Sequence, residues 1–144
     1  MLLSAKRPTP VHLHWRHIAL VFVGGALGTA VRALVAVAVP PVAGLPVATF
    51  GINVVGAFVL GALLQALAGR GPDEGGRRDL RLFAGTGILG GFTTYSAFAV
   101  DADGLIAAQN VGGSILYALA TIVVGALASV AGIALAARLE RRPR

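Results

Sequence analysis

Four long apolar stretches, at residues 18–39, 45–68, 82–108 and 111–137, take up most of the chain. Each reaches the roughly 20 residues that carry a helix across the hydrocarbon core of a bilayer. The pattern predicts an all-α integral membrane protein of four transmembrane helices forming one domain at 18–137. A polar leader at 1–17 and a basic tail at 138–144 flank it. The third stretch departs from the pattern. Between Gly85 and Phe98 it holds Gly85, Gly87, Gly90 and Gly91, then Thr93, Thr94 and Ser96. Lipid offers no water to freed backbone groups, so non-helical backbone at that depth persists only inside protein or along a wet cavity. Interrupted helices of this kind hold ions in transporters and channels. The third helix is therefore predicted to be broken, and the break to be an ion site.

Composition supports the membrane reading and removes others. Only 12% of residues are charged, against about 25% in soluble domains. Cysteine is absent, which excludes disulfides and thiolate metal sites. The net charge of +6 does not point to nucleic acid, because the charges sit at segment ends, where basic residues meet lipid headgroups. The loop at 69–79 has no phosphate-cradle spacing and reads as a solvated turn. Ala36-Val-Ala38 resembles a signal-peptidase site, but the first stretch is long and contains Arg32, so an uncleaved first helix is expected. His12, His14 and His17 beside Trp15 read as an interfacial anchor rather than a metal site, since histidines two apart do not share a helix face.

Charge also orients the chain. Four spans place both termini and the central loop on one side. That side carries Lys6, Arg7, Arg16, Arg70, Arg77, Arg78, Arg81, Arg138, Arg141, Arg142 and Arg144, eleven of the 12 basic residues. The opposite side has Arg32, with Asp101 and Asp103 near the third helix. The positive-inside rule then puts both termini in the cytoplasm.

Within the helices, a few polar positions have two readings each. Gly24 and Gly28 form a small-xxx-small pair that lets helices approach closely. Arg32 either snorkels to the interface or lines a polar vestibule. Thr49, Asn53 and Gly56 share a face; the Asn53 amide is interhelical glue or a donor facing a permeating anion. Tyr95 and Phe98 share a face as packing aromatics, or present their positive ring edges to an anion. Ser114, Tyr117, Thr121 and Gly125 form one stripe, bonded back to their own helix or lining a polar track. No ionisable side chain other than arginine is expected mid-span, which suits passive anion movement better than proton exchange.

Taken together, three motifs resemble the CrcB/Fluc family of fluoride channels, over residues 18–137. They are Gly24-Gly-Ala-Leu-Gly-Thr-Ala-Val-Arg32, Thr49-Phe-Gly-Ile-Asn-Val-Val-Gly-Ala-Phe58 and Gly87-Ile-Leu-Gly-Gly-Phe-Thr-Thr-Tyr-Ser-Ala-Phe98. The resemblance implies an antiparallel dimer of four-helix subunits with two fluoride pores. It implies a structural sodium ion held by backbone carbonyls, here those of Gly90 and Thr93. It places the pore asparagine at Asn53, the pore aromatic pair at Tyr95 and Phe98, and the fourth-helix polar track at Tyr117 and Thr121. Two positions depart from the family pattern. Tyr95 stands where phenylalanine is usual, adding a hydroxyl that bears on pore width and rate, and Gly125 offers no hydroxyl where the track would continue. The expected function is passive export of toxic fluoride across the plasma membrane, with no catalysis. The one-sided basic residues imply a fixed orientation and an oppositely inserted paralogue as partner. Two other functions are compatible with the sequence. One is a non-conducting structural subunit of a heterodimeric channel; the other is a small proton-coupled drug antiporter, which would need a membrane-embedded carboxylate.

Overall fold

A computed structural model describes residues 14–140. Lys6, Arg7, His12, Arg141, Arg142 and Arg144 lie outside the described residues. The elements are α1 (Trp15–Ala38), α2 (Val47–Ala68), α3 (Gly75–Leu80), a π-helical stretch (Arg81–Leu89), α4 (Gly90–Phe92), α5 (Tyr95–Ala107) and α6 (Val111–Glu140). Three helices among the described residues, α1, α2 and α6, are long and apolar enough to cross a membrane. The apolar stretch 82–108 is not one continuous helix. Its first part continues from α3 through α4 and stops at Phe92, and α5 resumes at Tyr95.

Proline and a tight reversal separate α1 from α2. Pro40 and Pro41 follow α1, and Val42 and Leu45 then exchange two backbone hydrogen bonds, of 3.1 and 2.9 Å. Ala43 and Gly44 between them both have positive φ, 51° and 78°, the geometry of a type I′ turn.

Packing is carried by glycine rather than by large apolar side chains. α2 lies mainly on α6, and α1 lies on the π-helical stretch and α4. A Cβ on Gly24 would strike the Phe83 carbonyl, and one on Gly28 the Ile88 carbonyl. A Cβ on Gly91 would strike the Gly25 carbonyl. Across the other pair, Gly61 meets the Ser129 carbonyl and Gly132 meets the Phe58 carbonyl. Lipid tails are as apolar as leucine, so helices in a bilayer gain by backbone approach and not by hiding oily surface. The outward apolar residues fit this solvent: Phe22, Leu34, Val37, Leu116 and Val130 are all exposed.

At the end holding the α2–α3 loop, charged side chains pair. Arg81 grips Asp73 with Nη2–Oδ2 at 2.8 Å and Nε–Oδ1 at 3.0 Å, and Arg78 lies 3.7 Å from the same carboxylate. Arg16 and His17 reach Asp79 at 2.8 and 3.6 Å, and the His14 and His17 rings meet edge to face. The Arg81 hydrogen bond holds the Asp73 carboxyl below its ordinary 3.8. With a lowered folded value, the pair holds the loop above pH 3.8 and releases it as acid protonates Asp73. Arg81→Gln is expected to raise the Asp73 pKa back toward 3.8, read by carboxyl-carbon chemical shift; an unmoved titration would show that the pair does not set it.

Candidate functional site

The backbone leaves the helix at Thr93 (φ −74°, ψ 153°) and Thr94 (φ −149°, ψ 122°), both extended. Leaving a helix frees donors and acceptors that must find partners in a membrane. Side chains from α1, from α2 and from the interruption itself supply several of them. The Thr93 N–H and hydroxyl both donate to the Leu89 carbonyl, at 3.0 and 2.9 Å. Asn53 from α2 makes a reciprocal pair with Thr94: the Thr94 N–H donates to Oδ1 at 2.8 Å, and Nδ2 donates to the Thr94 carbonyl at 3.1 Å. From α1, Arg32 Nε and the Thr29 hydroxyl donate to the Gly91 carbonyl at 3.2 and 3.4 Å. The Thr94 hydroxyl accepts from the Ala97 N–H at 3.1 Å, capping α5.

Two of the carbonyls freed by the break are those of Gly90 and Thr93. In an unbroken helix the Gly90 carbonyl would accept from the Thr94 N–H, and that of Thr93 from the Ala97 N–H. Both N–H groups go instead to side-chain oxygens, Asn53 Oδ1 and Thr94 Oγ1. Gly90 is exposed, although its neighbours Gly87 and Leu89 are buried.

At the interruption lies an open cleft of about 310 Å³, lined by Asn53, Thr93, Thr94, Tyr95, Phe98, Thr121 and Ile122. An aromatic ladder runs along it. The Tyr95 and Phe98 rings are 5.9 Å apart and tilted, and Phe98 and Tyr117 are 5.4 Å apart. Tyr95 is 83% exposed while Tyr117 is 6% exposed, so the ladder leads from the chain's surface to its interior. Behind it the Thr121 hydroxyl donates to the Tyr117 carbonyl at 2.7 Å. The Tyr117 hydroxyl makes a long contact of 3.4 Å to Asp101 and also meets the Thr49 side chain. Ser114 donates to the Ala102 carbonyl at 2.8 Å.

The profile described as CrcB-like protein, Camphor Resistance (CrcB), matches residues 19–133. The chain belongs to the CrcB-like family. Similar proteins carry a common description. The Fluoride-specific ion channel FluC 2 of Leifsonia xyli subsp. xyli is 69% identical over 140 residues, covering 97% of each chain. FluC 1 of Cutibacterium acnes is 50% identical over 111 residues, 76% of this chain and 78% of that one. FluC of Agrobacterium fabrum is 42% identical over 125 residues, 85% of this chain and 98% of that one. Every CrcB residue named at the interruption and cleft falls inside the matched region, and the chain is a multi-pass membrane protein.

The CrcB chain brings Asn53, Thr93, Tyr95, Phe98 and Thr121 to one cleft, with Tyr117 stacked on Phe98. Gly90 and Arg32 do not line it. Asn53 holds the neighbouring helix through one N–H and its oxygen, leaving a second N–H, since a primary amide carries two donors. Thr121 is bonded back to its own helix, the usual habit of such hydroxyls. Asp101 adds a contact from the facing helix. Placed in sequence near the third helix, it lies within α5, half-buried, with its carboxylate 3.4 Å from the Tyr117 hydroxyl. Its spacing of three from Phe98, on one helix face, was the available signal.

Proposed function

We propose that this CrcB-family chain is a subunit of a fluoride-selective channel, exporting toxic fluoride from the cytoplasm by passive conduction. The observation that carries the reading is the cleft, where an amide, hydroxyls and aromatic ring edges converge without a cationic side chain. Fluoride is small and strongly hydrated, so a path for it must offer replacement donors; the Asn53 amide and the Thr94 hydroxyl are placed to do so. Ring edges of Tyr95 and Phe98 add weak positive potential that attracts an anion without trapping it. Narrowness and donors set for a small ion reject chloride, following the general logic of channel filters.

In this reading the interrupted run through α4 and α5 is a fourth span, and two subunits pair antiparallel across it. Support comes from Gly90, exposed beside buried neighbours, with nothing within 4 Å of a Cβ placed there. The Gly90 and Thr93 carbonyls fit a hard cation such as sodium, which takes oxygen ligands, because their helical N–H partners are engaged elsewhere. Those two residues would hold it, and its charge would tie two interrupted helices together. Both termini face the cytoplasm of a plasma membrane, and the one-sided arginines favour an oppositely inserted paralogue as partner. That asymmetry also favours a second reading, a structural subunit whose partner supplies the working pore residues.

Fluoride efflux from liposomes, read with a fluoride electrode, separates these. The chain with its paralogue is expected to conduct, and Phe98→Ile in this chain should slow efflux by at least about tenfold, one ring edge lost from the path. Unchanged flux in Phe98→Ile favours the structural-subunit reading. Full flux from this chain alone overturns obligatory pairing.

A further inference from the structure

We infer that Arg32 is a positioning residue for the cation site, acting through the Gly91 carbonyl and not as a bare positive charge. The inference rests on the channel reading with its structural sodium. It starts from the hydrogen bonds at the interruption. Of the carbonyls at the end of α4, that of Gly91 is the one gripped from α1, by Arg32 Nε at 3.2 Å and the Thr29 hydroxyl at 3.4 Å. The adjacent Gly90 carbonyl is the one whose helical N–H partner has gone to Asn53. Gly90 has helical φ and ψ, −65° and −34°, and Gly91 lies in the same helical turn, so their carbonyls keep the near-parallel relation of an α-helix. Fixing the Gly91 carbonyl toward α1 therefore fixes the direction of the Gly90 carbonyl beside it.

The grip is well supported. Gly28, one turn before Arg32, is pressed against the Ile88 carbonyl, and Gly25 against Gly91. α1 thus reaches α4 without slack, and Arg32, half-buried, meets a fixed acceptor. Its donating atom is Nε, part of a planar group with little freedom to turn away. A vestibule charge would not need that atom.

The identity of the atom gives the test. Glutamine places Nε2 the same number of bonds from the backbone as arginine Nε, so Arg32→Gln keeps a donor and removes the charge. Arg32→Met has the same reach with no donor, and Arg32→Lys keeps the charge but moves the donor one bond further. Thermal unfolding of the purified full chain, paired as it conducts, would be followed while sodium chloride replaces N-methylglucamine chloride at constant ionic strength. The wild type is expected to be stabilised by sodium. Arg32→Met should raise the half-saturating sodium concentration about tenfold, the size of one well-made hydrogen bond. Arg32→Gln should recover most of that loss, and more than Arg32→Lys. Should Arg32→Met fail to fold, Thr29→Val provides the same test with a smaller expected change, about threefold, from its weaker bond. A wild type indifferent to sodium overturns the inference. So does Arg32→Met titrating like the wild type, or Lys restoring sodium affinity where Gln does not. A wild type with the sodium response and this ranking but no fluoride flux overturns conduction while upholding the role of Arg32.

Discussion

Asn53→Asp is expected to reduce fluoride efflux by at least about a hundredfold and to lower stability by about 2–3 kcal/mol. The change keeps one oxygen in place to accept the Thr94 N–H, now at 2.8 Å. It replaces the donor to the Thr94 carbonyl, 3.1 Å away, with a second oxygen, so two acceptors face each other across a part-buried gap. Ionised, the carboxylate repels an anion from the cleft; protonated, it offers one donor where the amide offered two. Asn53→Ala separates structure from conduction. It leaves the Thr94 N–H without Oδ1 and free to return to the Gly90 carbonyl, extending α4 by a residue and withdrawing one carbonyl of the proposed cation site. Efflux and thermal unfolding of both variants check this; an aspartate variant that conducts like the wild type removes Asn53 from the path.

Gly28→Val is expected to give the largest loss of stability, more than about 3 kcal/mol, or no folded protein. A Cβ there would overlap the Ile88 carbonyl and lie 2.9 Å from the Phe92 N. Both are backbone atoms and cannot rotate aside, so α1 would have to lift from the π-helical stretch. Lifting α1 also draws Thr29 and Arg32 from Gly91, so a variant that does fold should lose sodium stabilisation too. Gly125→Ala is the control. Nothing lies within 4 Å of its Cβ, and alanine in a helix interior is favoured over glycine by about 0.5–1 kcal/mol. Equal stability of the two variants in detergent unfolding would show that close approach at Gly28 does not hold the helices together.

Much of this architecture is legible in the chain because bilayer physics leaves few choices. Apolar runs of helix length, prolines at 40 and 41, and glycines spaced by four locate α1, α2 and α6 within a few residues. The glycines and hydroxyls of 85–98 mark where the helix is interrupted, and Asn53 with Phe98 is readable as a pair of polar and aromatic positions in apolar surroundings. What was not legible depends on partners distant in sequence. Arg32 has two plausible uses on a helical wheel, and only the approach of Gly91, 59 residues away, supplies the third. Asp101 lies inside the third apolar run, but its contact with Tyr117, 16 residues on, is a tertiary one that the run does not show. The π-helical stretch has no composition signature in this chain, since glycine-rich apolar sequence suits α and π turns alike.

That stretch sets a phase. A π turn closes on the fifth residue rather than the fourth. Along it, Phe83, Gly87 and Ile88 come to Gly24 of α1, and Ile88 to Gly28. Each residue of an α-helix turns the chain by about 100°, so removing one residue between Arg81 and Leu89 would rotate everything beyond it relative to α1. The interruption would keep every side chain and lose its bearing. In this protein the direction in which the Gly90 and Thr93 carbonyls face is written in the count of residues before them as much as in their identity.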